Sequence, residues 1–315
     1  MALNSIKKLL ITGGSGFLGT HVVREFERNC PSVEAISTFR SSQYDLREQA
    51  AVRALLNDIP CDTVIHLAAR VGGIGANREH PGAFFYDNLM MGANLIEEAR
   101  KNKVQKFILI GTVCSYPKFT PVPFRESDLW NGYPEETNAP YGIAKKALMV
   151  QLQAYRKEYA FNGISLLMVN LFGPGDNFDL NNSHVIPGMM RRFHEAKMAG
   201  ANSVTLWGDG TPTREFLYVE EAARAVRLAA EQYNSQEPLN IGSGLELSMR
   251  SLAQAISKVV GFSGSIDWDV SKPNGQPRRL LDTSRSKEAL NFEASNDLER
   301  GLRETYAWYL RRLGK

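Results

Sequence analysis

Leu9-Leu10-Ile11-Thr12-Gly13-Gly14-Ser15-Gly16-Phe17-Leu18-Gly19 reads as a short apolar strand running into a glycine-rich turn. Leu18, Val22, Val23 and Phe26 then recur at helical spacing and give the next segment one apolar face. Glycines at 13, 16 and 19 permit a tight strand-to-helix turn. They also let backbone amides approach a pyrophosphate at the helix N-terminus, where the helix dipole favours anions. A glycine-rich hexamer alone is a weak signal. Its place between a strand and an amphipathic helix makes it a dinucleotide-binding motif, with Gly13, Gly16 and Gly19 at the phosphates.

Outward from this turn, short apolar runs alternate with amphipathic ones. Strands are expected at 7–12, 33–38, 62–67, 104–110 and 163–169, and helices at 16–29, 46–57, 84–101 and 140–161. That alternation predicts an α/β fold, a Rossmann-like doubly wound parallel sheet. The glycine turn, Thr112 and Asn170 fall at or just past the carboxyl ends of strands, the edge where such sheets bind ligands. After Phe172-Gly173-Pro174-Gly175 the alternation gives way to loops, with further helices near 185–198, 219–232, 248–260 and 297–312. The expected organisation is a nucleotide-binding domain over 1–172 with a return segment at about 215–243. A smaller C-terminal substrate-binding lobe takes 173–214 and 244–315.

Tyr141-Gly142-Ile143-Ala144-Lys145 sets a phenol and an ammonium four residues apart, on one helix face. An ammonium beside a phenol favours the phenolate, so the Tyr141 pKa is expected to fall from about 10 toward neutrality. That would make Tyr141 a proton donor and acceptor for a carbonyl or alcohol, with the Thr112 hydroxyl polarising the oxygen. Tyr-x-x-x-Lys also occurs on plain amphipathic surface helices. The glycine turn upstream is what gives the pair meaning.

The second strand ends Ser37-Thr38-Phe39-Arg40-Ser41-Ser42, without the carboxylate that binds a ribose 2′-hydroxyl in NAD sites. A guanidinium suits a 2′-phosphate instead, so Arg40 points to NADP; the bland alternative is a solvated loop cation.

Composition sets outer bounds. The 315 residues, 43% hydrophobic, suffice for one or two domains with a sizeable core. A net charge of +3 gives no reason to invoke nucleic acid or a membrane surface. No apolar run reaches membrane-spanning length, and Met1-Ala2-Leu3-Asn4-Ser5-Ile6-Lys7 lacks a signal-peptide core. Cys30, Cys61 and Cys114 have no metal-ligand spacing and cannot all pair, which points to a reducing cytoplasm.

With these motifs in place, the chain resembles the extended short-chain dehydrogenase/reductase family, and within it the epimerase-reductases of GDP-linked sugars, over almost its whole length. The resemblance is carried by Val71-Gly72-Gly73-Ile74, the segment around Cys114, Asn138-Ala139-Pro140-Tyr141-Gly142-Ile143-Ala144-Lys145 and Asn170-Leu171-Phe172-Gly173-Pro174. It continues through Asp176-Asn177-Phe178, Asn182-Ser183-His184-Val185-Ile186-Pro187, Arg191-Arg192-Phe193-His194-Glu195-Ala196 and Trp207-Gly208-Asp209-Gly210-Thr211-Pro212. Arg214-Glu215-Phe216 and Ser271-Lys272-Pro273 complete it. The glycine turn and the Tyr/Lys pair mark the superfamily; the His184 segment, the double arginine and the Trp207 run are more specific. Two positions depart from the pattern. Thr112-Val113-Cys114 stands where the family usually has Ser-Ser-Cys, and Ser15 where it often has an arginine.

The resemblance implies NADPH-dependent 3,5-epimerisation and 4-reduction of a GDP-linked 4-keto-6-deoxy sugar, GDP-4-keto-6-deoxy-D-mannose going to GDP-L-fucose. A 4-ketone acidifies the hydrogens on C3 and C5, so one carbonyl permits two epimerisations if a base and an acid work on opposite faces. Cys114 as base and His184 as acid are the implied pair; thiol and imidazole titrate near neutral pH. Tyr141 would protonate the C4 oxygen, with Thr112 donating a hydrogen bond and Lys145 on the nicotinamide ribose. Further cofactor contacts are implied for Ser15, Phe17, Leu18, Ala68, Ala69, Asn170, Leu171 and His184. Asn170, Arg192, Trp207, Arg214 and Lys272 are the implied nucleotide-sugar contacts. No metal is implied, and a homodimer through two helices of the first domain is.

Plain structural readings stand beside these. Cys114 could be a small buried hydrophobe, His184 a helix-cap residue, Asn170 a loop cap, Arg192 part of a solvated helix face and Trp207 a core residue. Among rival activities, a 4,6-dehydratase needs an Asp-Glu pair where this chain has Val113-Cys114, and a simple 4-epimerase needs no Cys/His pair. The same chemistry on a GDP-4-keto-heptose or a dideoxy sugar, or a non-catalytic NADP-binding sensor, completes the set.

Overall fold

The chain alternates strand and helix from Lys8 onward. In the computed structural model, residues 6–180, 182–272, 274–295 and 297–314 are described, apart from the side chain of Ile74. Met1–Ser5 and Pro273, quoted above, lie outside them. The first half runs β1 (Lys8–Thr12), α1 (Phe17–Asn29), β2 (Ala35–Ser37), α2 (Gln49–Asp58), β3 (Thr63–His66), α3 (Ile74–Glu79), α4 (Pro81–Lys101) and β4 (Lys106–Thr112). It continues with α5 (Ala139–Tyr159), β5 (Gly163–Met168) and β6 (Asn170–Phe172). The second half comprises α6 (Val185–Met198), β7 (Ser203–Trp207), β8 (Thr213–Tyr218), α7 (Val219–Gln232), β9 (Leu239–Ile241) and β10 (Glu246–Ser248). Then come α8 (Met249–Val260), β11 (Ser265–Asp269), α9 (Ser284–Leu290) and α10 (Leu298–Arg312).

Six strands form one parallel sheet in the order β2-β1-β3-β4-β5-β9. The chain turns outward from β1 to β2 and then crosses to β3 on the other side of β1. The switch point, where a crevice opens at the carboxyl ends, is therefore between β1 and β3. Strands β3 and β5 are buried along their whole length, as parallel strands covered by helices on both faces must be. One set of helices pairs α1 with α7; the other packs α4 against α2 and α5.

The doubly wound sheet expected from the sequence is present, with differences at its ends. Strand β4 runs on to Thr112 because Gly111 and Thr112 pair with Leu167 and Met168. As an edge strand with one neighbour, β2 shrinks to three residues. Asn170 does not end β5; the chain leaves the large sheet and Asn170 opens β6, which pairs with β8 in a separate sheet completed by β10. The sixth parallel strand, β9, was not anticipated as a strand.

Two hydrophobic cores result. The larger gathers Ile11, Phe26, Ile65, Phe107, Leu166 and Leu239 around the six-stranded sheet. The smaller joins Phe172, Phe193, Leu206, Leu252 and Leu302, with Phe178 stacked on Tyr309 at 4.2 Å between ring centroids. Each fully buried aliphatic or phenyl side chain contributes about 1.5–3 kcal/mol relative to exposure. The Glu215 carboxylate ties the segments between them, accepting from Gly244 N at 2.7 Å and Leu281 N at 2.8 Å. Among the described residues no helix is long and apolar enough to cross a membrane.

Candidate active site

The glycine turn is dictated by sterics. Gly13 has φ +71°, and a Cβ there would lie 2.8 Å from Ala68 N, so the turn rests directly on the segment after β3. A Cβ on Gly19 would fall 2.1 Å from Gly13 O, which keeps α1 pressed onto the turn. Gly16 is the N-cap of α1 and brings no side-chain cap, leaving the first helical amides to an anionic ligand. The Thr12 hydroxyl accepts from Ala68 N at 3.2 Å and bonds His66 Nδ1 at 2.8 Å, locking the two strand ends at the switch point. This cradle fits a dinucleotide pyrophosphate.

Arg40 follows β2 and is exposed at the same cleft. The carboxylates lining this end are already engaged. Arg47 binds Asp45 at 2.7 Å and holds its carboxyl below the usual range, while Arg70 and Arg47 reach Asp87 at 2.9 and 3.3 Å. Both carboxylates are thus paired with guanidiniums, whereas Arg40 makes no ion pair among the described residues.

Tyr141 and Lys145 lie in the first turns of α5, behind Pro140 near its N-terminus, and both line the cleft. The expected effect on Tyr141 is reversed. Burial, reinforced by the Cys114 thiol, pushes the phenol above its ordinary value rather than toward neutrality. Lys145 is itself only 1% exposed, and burial pushes its ammonium down to about 8. Burial decides the direction for both groups, so Tyr141 is held as a neutral phenol, a proton donor.

That burial has a stability signature. An unfolded lysine keeps its proton to about 10.5, the folded Lys145 only to about 8. Between those values the unfolded state binds more protons, so stability rises with pH; below about 8 both states are charged and the full penalty, about 3 kcal/mol, persists. Lys145→Met is expected to raise the thermal midpoint at pH 7 and to lose that gain above about pH 10. A lowered midpoint at pH 7 in a melting series would contradict it.

Cys114 sits on a short 3-10 turn, Val113–Ser115, whose N-cap is Thr112: the Thr112 hydroxyl accepts from Cys114 N at 3.2 Å. Arg279 Nη1 approaches Cys114 Sγ at 3.7 Å. Gln276 steadies that guanidinium, accepting from Arg279 Nε at 2.6 Å and donating to Lys118 O at 2.8 Å. Arg214 stands close by, pushed down to about 10 by burial and by Arg279. Cys30 bonds Glu231 at 3.0 Å, and burial pushes both Cys30 and Cys61 up to about 12. His184 is the N-cap of α6 but makes no side-chain cap bond; its ring lines the cleft.

At the far end Trp207 is 64% exposed, so it is no core residue. Arg192 and Lys272 each stand 6.0 Å from its ring centroid. Asn170 donates to Glu215 O at 3.1 Å, and Leu171 lies beside it.

Every residue singled out in the sequence lines one cleft of about 1680 Å³, from Ser15, Phe17, Leu18 and Ala69 at one end to Arg214 and Lys272 at the other. Sequence reasoning missed Arg279, and also Glu135, which lines the cleft and accepts from Thr137 and from Asn138 at 3.0 Å. Arg279 carried no local signal; its partner Cys114 is far away in the chain.

Fold and cleft together define a dinucleotide-dependent α/β enzyme. The chain belongs to the NAD dependent epimerase/dehydratase family, whose model matches residues 9–242. It is 41% identical over 304 residues to GDP-L-fucose synthase 1 of Arabidopsis thaliana, covering 96% of this chain and 93% of the relative. A GDP-L-fucose synthetase from Naegleria fowleri, solved bound to NADP, superposes with a TM-score of 0.90 at 27% identity, covering 100% of this chain and 97% of that one. A GDP-6-OMe-4-keto-L-xylo-heptose reductase from Campylobacter jejuni also reaches 0.90, at 25% identity over 98% of this chain and 99% of that one.

Proposed function

We propose that the protein catalyses NADPH-dependent 3,5-epimerisation and 4-reduction of GDP-4-keto-6-deoxy-D-mannose to GDP-L-fucose. The observation that carries this reading is one cleft lined by Tyr141, Lys145, Cys114 and His184, in a chain 41% identical to a GDP-L-fucose synthase. In this reading residues 1–172 with the return segment 215–243 hold NADP, and 173–214 with 244–315 form the nucleotide-sugar lobe. The two hydrophobic cores follow that division only in outline: Leu281, Leu290 and Phe292 pack in the larger core, and Phe172 and Phe216 in the smaller. A cytoplasmic homodimer, joined through helices of the first domain, belongs to the same proposal.

Cys114, beside Arg279, removes the proton at C3 or C5, and His184 returns one on the opposite face. The hydroxyls of Thr112 and Tyr141 support the C4 oxygen as charge builds on it, since the enolate places that charge there. When bound, NADPH supplies the hydride that reduces C4. Tyr141 protonates the resulting oxygen, while the α1 amides, Lys145 and Arg40 keep the cofactor in place. Arg192, Arg214 and Lys272 offer cations to a diphosphate, and Trp207 offers a face to a base.

Arg40→Ala is expected to lower the preference for NADPH over NADH by about 10–100-fold, the worth of a charged hydrogen bond. Equal efficiency with both cofactors in the unaltered protein would remove Arg40 from this role. The function itself is tested by incubation with NADPH and a panel of GDP- and dTDP-linked 4-keto-6-deoxy sugars and a GDP-4-keto-heptose, with products read by NMR. The proposal requires GDP-L-fucose from the manno substrate; absence of turnover across the panel favours a sensor, and faster turnover of the heptose favours that sugar.

A further inference from the structure

We propose that Asp176 is a positioning residue for His184, orienting its imidazole through Nδ1 so that Nε2 serves the cleft. This rests on the reading in which His184 returns the proton during epimerisation. Among the described residues, four buried side-chain nitrogen or oxygen atoms lack a hydrogen-bond partner: His66 Nε2, Arg156 Nε, Asp176 Oδ2 and His184 Nδ1. Two of the four belong to this one pair.

The carboxylate is 2% exposed, and its Oδ1 lies 3.7 Å from His184 Nδ1. It is fixed in place: Oδ1 accepts from Asn177 N at 2.7 Å, and Asp176 N donates to Gly173 O at 3.3 Å. His184 is the only ion-pair partner of Asp176 among the described residues. A buried carboxylate with neither Arg nor Lys beside it is costly unless something else bonds it. A small ring movement turns the 3.7 Å approach into a hydrogen bond, satisfying one orphan atom on His184 at once.

The chemical result is a fixed tautomer. A carboxylate facing Nδ1 keeps a proton on that nitrogen and leaves Nε2 as the exchanging atom. When Nε2 gives its proton to C3 or C5, the ring becomes neutral with Nδ1–H still held by Asp176. No ring flip is then needed before Nε2 is recharged from solvent, which reaches the side chain at 41% exposure.

The test uses Asp176→Asn, which keeps the volume and the bond from Asn177 N, and Asp176→Ala. Nitrogen-15 spectra of the imidazoles, with His184→Gln to assign the signal among the 5 histidines, read the tautomer without turnover. The wild type should show the proton on Nδ1, and Asp176→Asn should move population to Nε2. Inversion at C3 and C5, followed in D₂O, should fall about 10–100-fold in both variants, while reduction of the unepimerised sugar stays within about threefold. An unchanged tautomer with unchanged inversion overturns the proposal. Equal loss of inversion and reduction also overturns it, because that marks a structural role. Retained inversion in His184→Gln would instead overturn the acid role of His184, and the nitrogen shifts would still decide whether Asp176 sets the ring.

Discussion

Tyr141→Phe is expected to lower 4-reduction by about 10²–10⁴-fold, the usual contribution of a general acid, with NADPH binding largely intact. The change removes a single oxygen. Among the described residues the Tyr141 hydroxyl makes no protein hydrogen bond, so its loss breaks none. The phenol sits above its ordinary pKa, which makes it a donor in the ground state, and phenylalanine has nothing to donate. Fluorescence titration with NADPH and single-turnover kinetics separate binding from chemistry. Turnover within about tenfold of wild type would remove Tyr141 from the acid role.

Cys114→Ser is expected to slow proton abstraction by orders of magnitude and to leave reduction running. A serine hydroxyl is far harder to ionise than a thiol, even beside Arg279, whereas Thr112, Tyr141 and Lys145 are untouched. The product should therefore keep the configuration of the starting sugar at C3 and C5 and carry no solvent deuterium there. His184→Ala should differ. Exchange at the first carbon attacked persists, but inversion stops because no proton arrives on the opposite face. One NMR experiment on products formed in D₂O distinguishes all three enzymes. Wild-type exchange and inversion in Cys114→Ser would reduce this thiol to packing and send the search for a base elsewhere.

The glycine turn and the Tyr141–Lys145 pair were legible because each obeys a local rule. Backbone crowding at Gly13 and Gly19 admits no side chain, and four-residue spacing on α5 puts two side chains on one face. The long helices were legible from their apolar period, and α6 and α7 fall at the expected residues. Three-residue strands such as β9 and β10 are too short to show a period. The Arg279–Cys114 contact joins residues 165 apart in the chain, so only the folded cleft reveals it. The direction of the Tyr141 shift was missed for a related reason: sequence places a cation nearby but says nothing of how deeply both groups are buried.

The cap on the Cys114 turn has a consequence for the carbonyl end of the cleft. The Thr112 hydroxyl accepts from the Cys114 amide on one of its two lone pairs and keeps its single proton to give. A ketone oxygen has no proton to give, so Thr112 meets it as a donor, and the bond from the Cys114 amide restricts the rotation of that hydroxyl before any sugar arrives. No dipole has to turn as negative charge grows there, which is the condition under which a hydrogen bond favours a transition state most. The same amide would aim a serine hydroxyl equally well, so the extra methyl of Thr112 changes the room around the ketone and leaves the polarity of the contact untouched.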